Sequence, residues 1–276
     1  MDPASVALLA GAGLVAGFLG GLVGIGGGVI FSPVLFFYFK HIGVADEILA
    51  PLTVGSSLFC TLVASISSAM QHRREGAVVR RTALAVGSFA AIGLFVTTRL
   101  VTTQPWYDET AFQIAFSCVL IAVVARMVFQ RTRMNVVPRP VRTSGVRVVG
   151  TGLSAGAISA ATGVGGGVVL VPAFTGLLGM PIHHAAGTSS ATIAIISLAG
   201  VVSYATAGWS ALTPVGAIGY VDVGHSAVLA VASVISAQLG AMLTHRLPTH
   251  AVRYSFAAIA FLVVLRLMYE AAGNLF

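Results

Sequence analysis

Charged residues are scarce in this chain: 15 lysines and arginines and 8 aspartates and glutamates serve 276 residues, of which 57% are hydrophobic. An ordinary soluble domain has about 25% charged residues, because its surface must face water. Such a low charge content excludes a soluble enzyme, and the high hydrophobic content excludes a disordered chain. The chain is therefore predicted to be an all-α, polytopic integral membrane protein.

Cysteines and catalytic motifs are also sparse. The two cysteines, Cys60 and Cys118, lie inside long apolar segments, which predicts neither a disulfide framework nor a metal cluster. The sequence has no H-E-x-x-H zinc motif and no pair of carboxylates within an apolar segment, so we predict no enzymatic activity, no metal and no cofactor. The basic residues fall in short clusters between apolar segments, a placement that favours membrane topology over nucleic-acid binding.

Long charge-poor segments mark the predicted membrane spans, because a helix needs about 20 apolar residues to cross the hydrocarbon core. Six have an ordinary length: roughly 48–71, 82–104, 110–130, 185–207, 223–245 and 251–272. Two more, about 5–39 and 148–180, are too long for one simple span, and glycines interrupt each of them. These two are predicted to be broken or re-entrant segments.

An internal repeat organises the chain. The glycine motif at 24–28, followed by Pro33, corresponds to the motif at 163–167, followed by Pro172. Later landmarks recur in the same order in both halves: Gly55-Ser56-Ser57 matches Gly187-Thr188-Ser189, His72 matches Tyr204, and Arg126 matches Arg266. Several matches in series indicate two structural repeats, each with one glycine-broken segment and three transmembrane helices.

The repeat and the basic residues together predict the topology. Residues 1–130 form the first transmembrane repeat, 131–147 a basic cytoplasmic linker and 148–276 the second repeat. If each broken segment crosses once, eight spans alternate; if each enters and returns on one side, the two halves are inverted. The inverted arrangement leaves only three basic residues outside the cytoplasm, so it is favoured, although both arrangements stay open. Those three are Lys40, Arg99 and Arg266.

Glycine-interrupted segments at matching positions are typical of secondary transporters that bind substrate near the membrane midplane. Unwound backbone is tolerated in the membrane only where it is buried in protein or lines a wet cavity. The start of each following half-helix carries free N–H groups and a partial positive charge, so two such starts predict an anion site. The predicted substrate contacts are Gly26, Gly27, Gly28, Ser56, Ser57, Gly165, Gly166, Gly167, Thr188, Ser189 and Ser190.

Each of these assignments has a purely structural alternative. Small residues four apart, as in Gly13, Gly17 and Gly21, are typical of close helix packing. Three consecutive glycines fit packing less well, since they occupy all faces of a helix and each lowers its helix propensity by roughly 1 kcal/mol. For the serine and threonine hydroxyls, the alternative is capping a helix or bonding back to its backbone.

Four further residues are predicted to have gating or interfacial roles. Arg126 and Arg266 lie about a turn from helix ends, where snorkelling to the interface is favoured over a counter-ion role. His72 and Tyr204 occupy matching positions in the two halves, and His72 ends an apolar segment beside two arginines. Adjacent histidines at 183 and 184 point apart on a helix and have no nearby ligand partner, which argues against a metal site.

The doubled motif resembles a known family. The glycine motifs at 24–28 and 163–167, each followed by a Gly-Ser/Thr-Ser element and then by His72 or Tyr204, are similar to those of the TauE/SafE family. The similarity covers about residues 10–270. Members of that family export sulfite and organosulfonates. This chain departs from the family's usual Gly-Thr-Ser in its first half, which leaves the identity of the substrate open.

The resemblance implies a secondary transporter in the plasma membrane, the inner membrane of a bacterium. It would export sulfite, sulfoacetate or a related C2 sulfonate by alternating access of a site between the two halves. Its partners would be a small anionic substrate and membrane lipid, with no nucleic acid. The alternative is a proton- or cation-coupled importer of another small organic anion. The oligomeric state and any coupling ion stay open.

Overall fold

The fold is almost entirely helical. The computed structural model describes residues 2–102, 104, 106–129, 145–209, 216–244, 261 and 265. Its elements in chain order are α1 (Pro3–Val23), α2 (Gly28–His41), α3 (Asp46–Arg74), α4 (Arg80–Thr102), α5 (Glu109–Phe129), α6 (Gly145–Thr162), α7 (Gly167–Gly176), α8 (Ile182–Ala207), β1 (Ala217–Ile218), β2 (Val221–Asp222) and α9 (Val223–Leu243). The two short strands pair antiparallel in the loop that leads into α9.

The helices confirm the predicted all-α membrane architecture. Within the described residues, α1, α3, α4, α8 and α9 are long and apolar enough to cross a membrane. Their bounds lie within a few residues of the spans predicted from composition. The last predicted span, 251–272, lies outside the described residues except for 261 and 265. Helix α6 begins at Gly145, so the end of the segment assigned to the linker is helical.

Both long apolar segments are broken at their glycines, as the sequence predicts. Gly24 ends α1 and Gly27 precedes α2, with φ angles of 74° and 79°. Gly166 precedes α7 in the same way, with a φ of 76°. Glycine adopts this left-handed conformation without the steric cost that a side chain would add, so the motif reverses the chain between two helices.

The chain turns back at each break. A methyl group added at Gly27 would lie 2.8 Å from the Ala16 carbonyl oxygen, so the start of α2 lies beside α1. The far end of α2 reaches His225 at the start of α9, where the Tyr38 and His225 rings are 5.2 Å apart. In the second half, Arg147 at the start of α6 donates to the Leu177 carbonyl beyond α7. Each broken segment is therefore a helical hairpin that returns toward its starting side.

Small residues let the long helices approach closely, as the packing alternative predicts for Gly13, Gly17 and Gly21. Helices α1 and α9 run in the same direction, with Gly13, Gly17 and Gly21 against Leu229, Ser233 and Ala237. Helices α6 and α4 also run in the same direction, with Gly152 and Gly156 against Val86 and Ala90. The first helix of each half therefore packs along a later helix of the other half.

Helices α3 and α8 cross at the centre of the molecule and run antiparallel. Along the crossing, four contacts place rising residue numbers of α3 opposite falling numbers of α8: Gly55 with Tyr204, Leu58 with Gly200, Ser68 with Ser190, and His72 with Gly187. The two helices occupy matching places in the sequence repeat. Exchanging the two halves therefore leaves the pattern of helix contacts unchanged.

Candidate functional site

The two glycine breaks meet at the α3–α8 crossing. A methyl group added at Gly26 would lie 2.9 Å from Cγ2 of Ile193 and 3.1 Å from Cγ2 of Thr61. One added at Gly165 would lie 2.7 Å from Cγ2 of Thr61 and 2.9 Å from Cγ2 of Ile193. Both breaks thus contact the same two side chains, Thr61 and Ile193. Ser197 is a further neighbour of Gly165. The glycines predicted as substrate contacts are brought together at one place in the fold.

The half-helices α2 and α7 both start at this meeting point. The first hydrogen bonds of α2 run from Ile30 and Phe31 to the Gly27 carbonyl, so the amides of Gly28 and Val29 have no acceptor within their own helix. The start of α7 is built in the same way on the Gly166 carbonyl. Each half-helix therefore presents unbonded first-turn amides and its positive dipole end to the centre of the molecule.

Each helix start faces carbonyl oxygens of the opposite break. A methyl group on Gly28 would lie 2.7 Å from the Val164 oxygen and 2.8 Å from the Gly163 oxygen. One on Gly167 would lie 2.7 Å from the Ile25 oxygen. In this conformation the two half-helix starts are packed against those oxygens.

Two of the hydroxyls predicted to contact the substrate accept hydrogen bonds from backbone amides. Ser56 Oγ accepts a hydrogen bond from the Asp222 amide at 2.8 Å, and Thr188 Oγ1 accepts one from the Val79 amide at 3.0 Å. Asp222 and Val79 stand just before α9 and α4. The two hydroxyls occupy matching positions in the repeat, and each orders the chain where it enters the next helix of the bundle.

The neighbouring serines differ in their partners. Ser57 Oγ donates to the Gly163 carbonyl at 3.0 Å, so it touches the second break directly. Its counterpart Ser189 is fully buried, and its hydroxyl has no hydrogen-bond partner among the described residues. Ser190 shares a hydrogen bond of 3.1 Å with Ser68 across the α3–α8 crossing. Among the predicted hydroxyl contacts in the described residues, Ser57 is the one with a hydrogen bond to a residue of a break.

His72 and Tyr204 contact matching carbonyls at the ends of α1 and α6. His72 Nε2 lies 3.3 Å from the Gly21 oxygen, and Tyr204 Oη donates to the Ala160 oxygen at 2.6 Å. A carbonyl only accepts, so Nε2 of His72 carries the proton in this contact. Both side chains therefore bond carbonyls of the last helical turn before a break, which have no partner within the helix. The Arg126 side chain and Arg266 lie outside the described part of the structure.

Removal of the Tyr204 hydroxyl is expected to destabilise the protein. A Tyr204→Phe change leaves the buried Ala160 oxygen without its donor, at a cost of about 1–3 kcal/mol. The melting temperature of the purified protein in detergent should fall by several degrees. Thr206→Val is the control, because its exposed hydroxyl bonds only to its own helix at Val202 and Ser203. Equal melting temperatures for the two variants would contradict this role.

Sequence reasoning missed several residues at the breaks. Thr61 and Ser197 border the meeting point, Tyr107 donates to the Ala161 oxygen, and Thr244 donates to the Leu22 oxygen. A signal for Thr61 and Ser197 was present: hydroxyl residues recur four positions apart on α3, at Ser57, Thr61 and Ser65, and eight positions apart on α8, at Ser189 and Ser197. Such spacing keeps side chains on one face of a helix.

Other chemistry has little support in the described residues. They contain no group of three or more His, Cys, Asp or Glu residues that could hold a metal ion. Cys60 and Cys118 are both free thiols. One G-x-S-x-G pattern occurs at 152–156, but it lies inside α6, where the Ser154 hydroxyl bonds back to the Gly150 carbonyl. A nucleophile elbow instead places its serine on a strand-to-helix turn.

Two glycine-broken hairpins that meet inside a bundle of membrane-spanning helices define a class of protein, the multi-pass membrane transporters. The sequence model of the family described as "Sulfite exporter TauE/SafE" matches residues 9–267. The chain belongs to this family, and it is a multi-pass protein of the plasma membrane.

Protein sequences from several organisms are similar along most of the chain. A probable membrane transporter protein of Haemophilus influenzae is 27% identical over 256 residues, covering 92% of this chain and 95% of that protein. A probable membrane transporter protein of Methanocaldococcus jannaschii is 26% identical and covers 90% of this chain and 89% of its own. The Bacillus subtilis probable membrane transporter protein YdhB is 26% identical over 86% of this chain and 87% of its own. No solved structure matches this chain.

Proposed function

We propose that this protein is a secondary transporter, not an enzyme, which exports a small sulfur-containing anion such as sulfite, sulfoacetate or a related C2 sulfonate. The observation that carries the proposal is the meeting of the two glycine breaks on Thr61 and Ile193 at the α3–α8 crossing. First-turn amides of two half-helices converge there, and such amides bind oxyanions without any formal positive charge. The family description supports the choice of a sulfur oxyanion.

In this mechanism the anion binds after the two breaks separate. The conformation described above packs Gly28 against the Gly163 and Val164 oxygens, so those oxygens must move away before an anion can accept hydrogen bonds from the α2 start. The contact between the breaks joins the two halves, as do the α1–α9 and α6–α4 helix pairs. Rocking one half against the other would open the site, with sliding along these helix pairs.

The inverted relation of the halves is part of the proposal. The antiparallel course of α3 and α8 supports it, because matching helices run antiparallel when a twofold axis lies perpendicular to them. The reversal of the chain at each break supports it as well, since a re-entrant hairpin leaves an odd number of crossings in each half. The transporter would then have two conformations related by this symmetry, one open to each side of the membrane. Both would present the same site.

The charge of the site suits release of the anion. The side chains that border the two breaks, Thr61, Ile193 and Ser197, are uncharged. A negative potential inside the cell favours anion exit by about 2.3 kcal/mol per charge for each 100 mV. Export by this route needs no ATP, and the lack of a positive charge on these three side chains avoids trapping the anion at the midplane.

The proposed partners are the anion and the surrounding lipid, with no nucleic acid. Helices α4 and α9 carry exposed apolar side chains on their outer faces, including Leu84, Val96, Val231 and Ile235. Such faces suit a hydrocarbon environment, and the short basic clusters between the apolar segments are placed as membrane topology requires.

Flux in liposomes tests the function. Purified protein should carry sulfite and sulfoacetate out of vesicles faster than sulfate or acetate, and an imposed negative inside potential should accelerate the loss. Protein-free vesicles and vesicles with the Gly27→Leu variant are the controls, since leucine at Gly27 would meet the Ala16 oxygen. Absence of anion flux, or equal flux from the variant, would refute the proposal. Flux inward that depends on Na⁺ or a pH gradient would favour the importer alternative.

A further inference from the structure

We propose that the second glycine break holds a monovalent cation, between the carboxyl end of α6 and hydroxyls of α2 and α3. The ligands would be backbone oxygens of Thr162, Gly163 and Val164 with hydroxyls of Ser32, Ser57 and Thr61. This inference goes beyond the proposed function, because export of an anion down the membrane potential needs no second ion.

The oxygens are gathered in one place. Ser32 Oγ lies 2.6 Å from the Thr162 oxygen, and Ser57 Oγ lies 3.0 Å from the Gly163 oxygen. The Val164 oxygen, the Gly163 oxygen and Thr61 Oγ1 all approach one face of Gly28, since a methyl group there would be 2.7 to 2.8 Å from each. The three hydroxyl side chains are fully buried. In this conformation the three hydroxyls therefore do not contact bulk water.

The chemistry of this donor set selects a cation of low charge. Helix α6 ends at Thr162, so its carbonyls carry the partial negative charge of a helix carboxyl end. Unwound carbonyls and helix carboxyl ends coordinate Na⁺ in transporters built from broken helices. A divalent ion holds its water more strongly and is usually bound through carboxylates, and the donor set contains none.

Thr61 is the residue that a purely structural role does not explain. Ser32 and Ser57 each satisfy a carbonyl at the end of α6, which alone would justify their hydroxyls. The Thr61 hydroxyl is fully buried and has no hydrogen-bond partner among the described residues. An unpaired buried hydroxyl costs free energy that an apolar side chain of the same shape would avoid. A bound cation would provide the missing partner.

The other half of the molecule lacks this donor set. The repeat places Val171, Ser189 and Ile193 where the first half has Ser32, Ser57 and Thr61. At the α7 start, the Cδ1 methyl of Ile193 lies 2.7 Å from a methyl group built on Gly167, where Thr61 places its hydroxyl beside Gly28. Close packing alone would be served by similar side chains in both halves. The asymmetry therefore predicts one cation site in each chain, at the second break.

A cation at this position would couple to the anion. The proposed anion ligands at the start of α2 are next to the proposed cation ligands, since Gly28 touches the Gly163 and Val164 oxygens. Because those oxygens must leave the α2 start before the anion binds, a cation that holds them there opposes anion binding, and the effect is reciprocal. We expect Na⁺ to lower the affinity for the anion, and the anion to lower the affinity for Na⁺.

Binding of ²²Na⁺ to the purified full-length protein in detergent tests the site directly. Binding should be saturable, and NaCl should raise the melting temperature above that in choline chloride at the same ionic strength. Thr61→Val should weaken ²²Na⁺ binding at least tenfold, whereas Thr61→Ser, which keeps the hydroxyl, should bind. Thr206→Val is the matched control, because it removes an exposed threonine hydroxyl that bonds only within α8.

The outcomes separate this inference from the transport proposal. No saturable ²²Na⁺ binding, or equal binding by Thr61→Val and wild type, would overturn the cation site. If Thr61→Val does not fold, loss of binding in a folded Ser32→Ala variant supports the site, and unchanged binding overturns it. Anion flux that persists unaltered in choline would leave the exporter intact without a cation. Saturable ²²Na⁺ binding without any anion flux would leave the site intact without the exporter.

Discussion

Valine in place of Gly21 is expected to separate α1 from α9 and to lower the melting temperature by about 5–10 °C. A methyl group at Gly21 would lie 2.1 Å from the Ala237 carbonyl oxygen. Backbone cannot rotate away as a side-chain tip can, so the helices must move apart and lose contact along their length. The change in free energy of unfolding should reach or exceed the 1–3 kcal/mol typical of overpacked cores.

Gly11→Val is the matched control for this prediction. Gly11 lies in the same helix, but a methyl group there would meet no atom within 4 Å. The same substitution should therefore leave the melting temperature within about 2 °C of wild type. Both variants change helix propensity equally, so a difference between them reports the contact with α9. Thermal unfolding of both proteins in one detergent checks the prediction. A similar loss from both variants would show that propensity, and not close approach of α1 to α9, governs the effect.

Valine in place of Gly165 is expected to abolish anion flux while the helices stay assembled. The added side chain would extend toward Cγ2 of Thr61, 2.7 Å from the first added carbon, and Cγ2 of Ile193, 2.9 Å away. These are side-chain methyls that can shift, in contrast to the backbone beside Gly21. The φ of 78° at Gly165 adds strain of about 1–2 kcal/mol for an ordinary side chain and more for β-branched valine. The meeting point of the breaks would be filled at the cost of this strain, without the backbone clash expected at Gly21.

Flux and assembly must be measured on the same preparation. We expect the Gly165→Val protein to elute as wild type from a sizing column but to carry sulfite at less than about a tenth of the wild-type rate, a change of at least 1.4 kcal/mol in the transport barrier. Gly150→Val in α6 is the control, because a methyl group at Gly150 meets no atom within 4 Å. Wild-type flux from Gly165→Val would place the substrate path elsewhere.

The positions of the helices follow from composition alone. The predicted span 185–207 corresponds to α8 at Ile182–Ala207, and 223–245 to α9 at Val223–Leu243. The breaks were equally readable, because consecutive glycines at 26–28 and 165–167 cannot sustain a helix. Both signals are local: hydrophobic length decides what crosses a membrane, and glycine decides where a helix ends.

The hydrogen-bond partners of individual hydroxyls could not be predicted from the sequence. Ser56 and Ser57 are adjacent in sequence, yet Ser56 accepts from Asp222 and Ser57 donates to Gly163. Neighbouring residues on a helix point about 100° apart, so each meets a different element of the bundle. His72 and Tyr204 occupy matching positions in the sequence repeat, but their contacts with the ends of α1 and α6 depend on how distant helices pack.

By itself, then, the sequence determined that the chain lies in a membrane, where its helices begin and break, and that the same sequence landmarks recur in order along the chain. The tertiary structure decided that the breaks meet on Thr61 and Ile193, and that each half-helix start faces the carbonyls of the other half. The physical reason is range. Hydrophobicity and helix propensity act within one segment, whereas the contacts at the centre join residues more than 100 positions apart, such as Ser57 and Gly163.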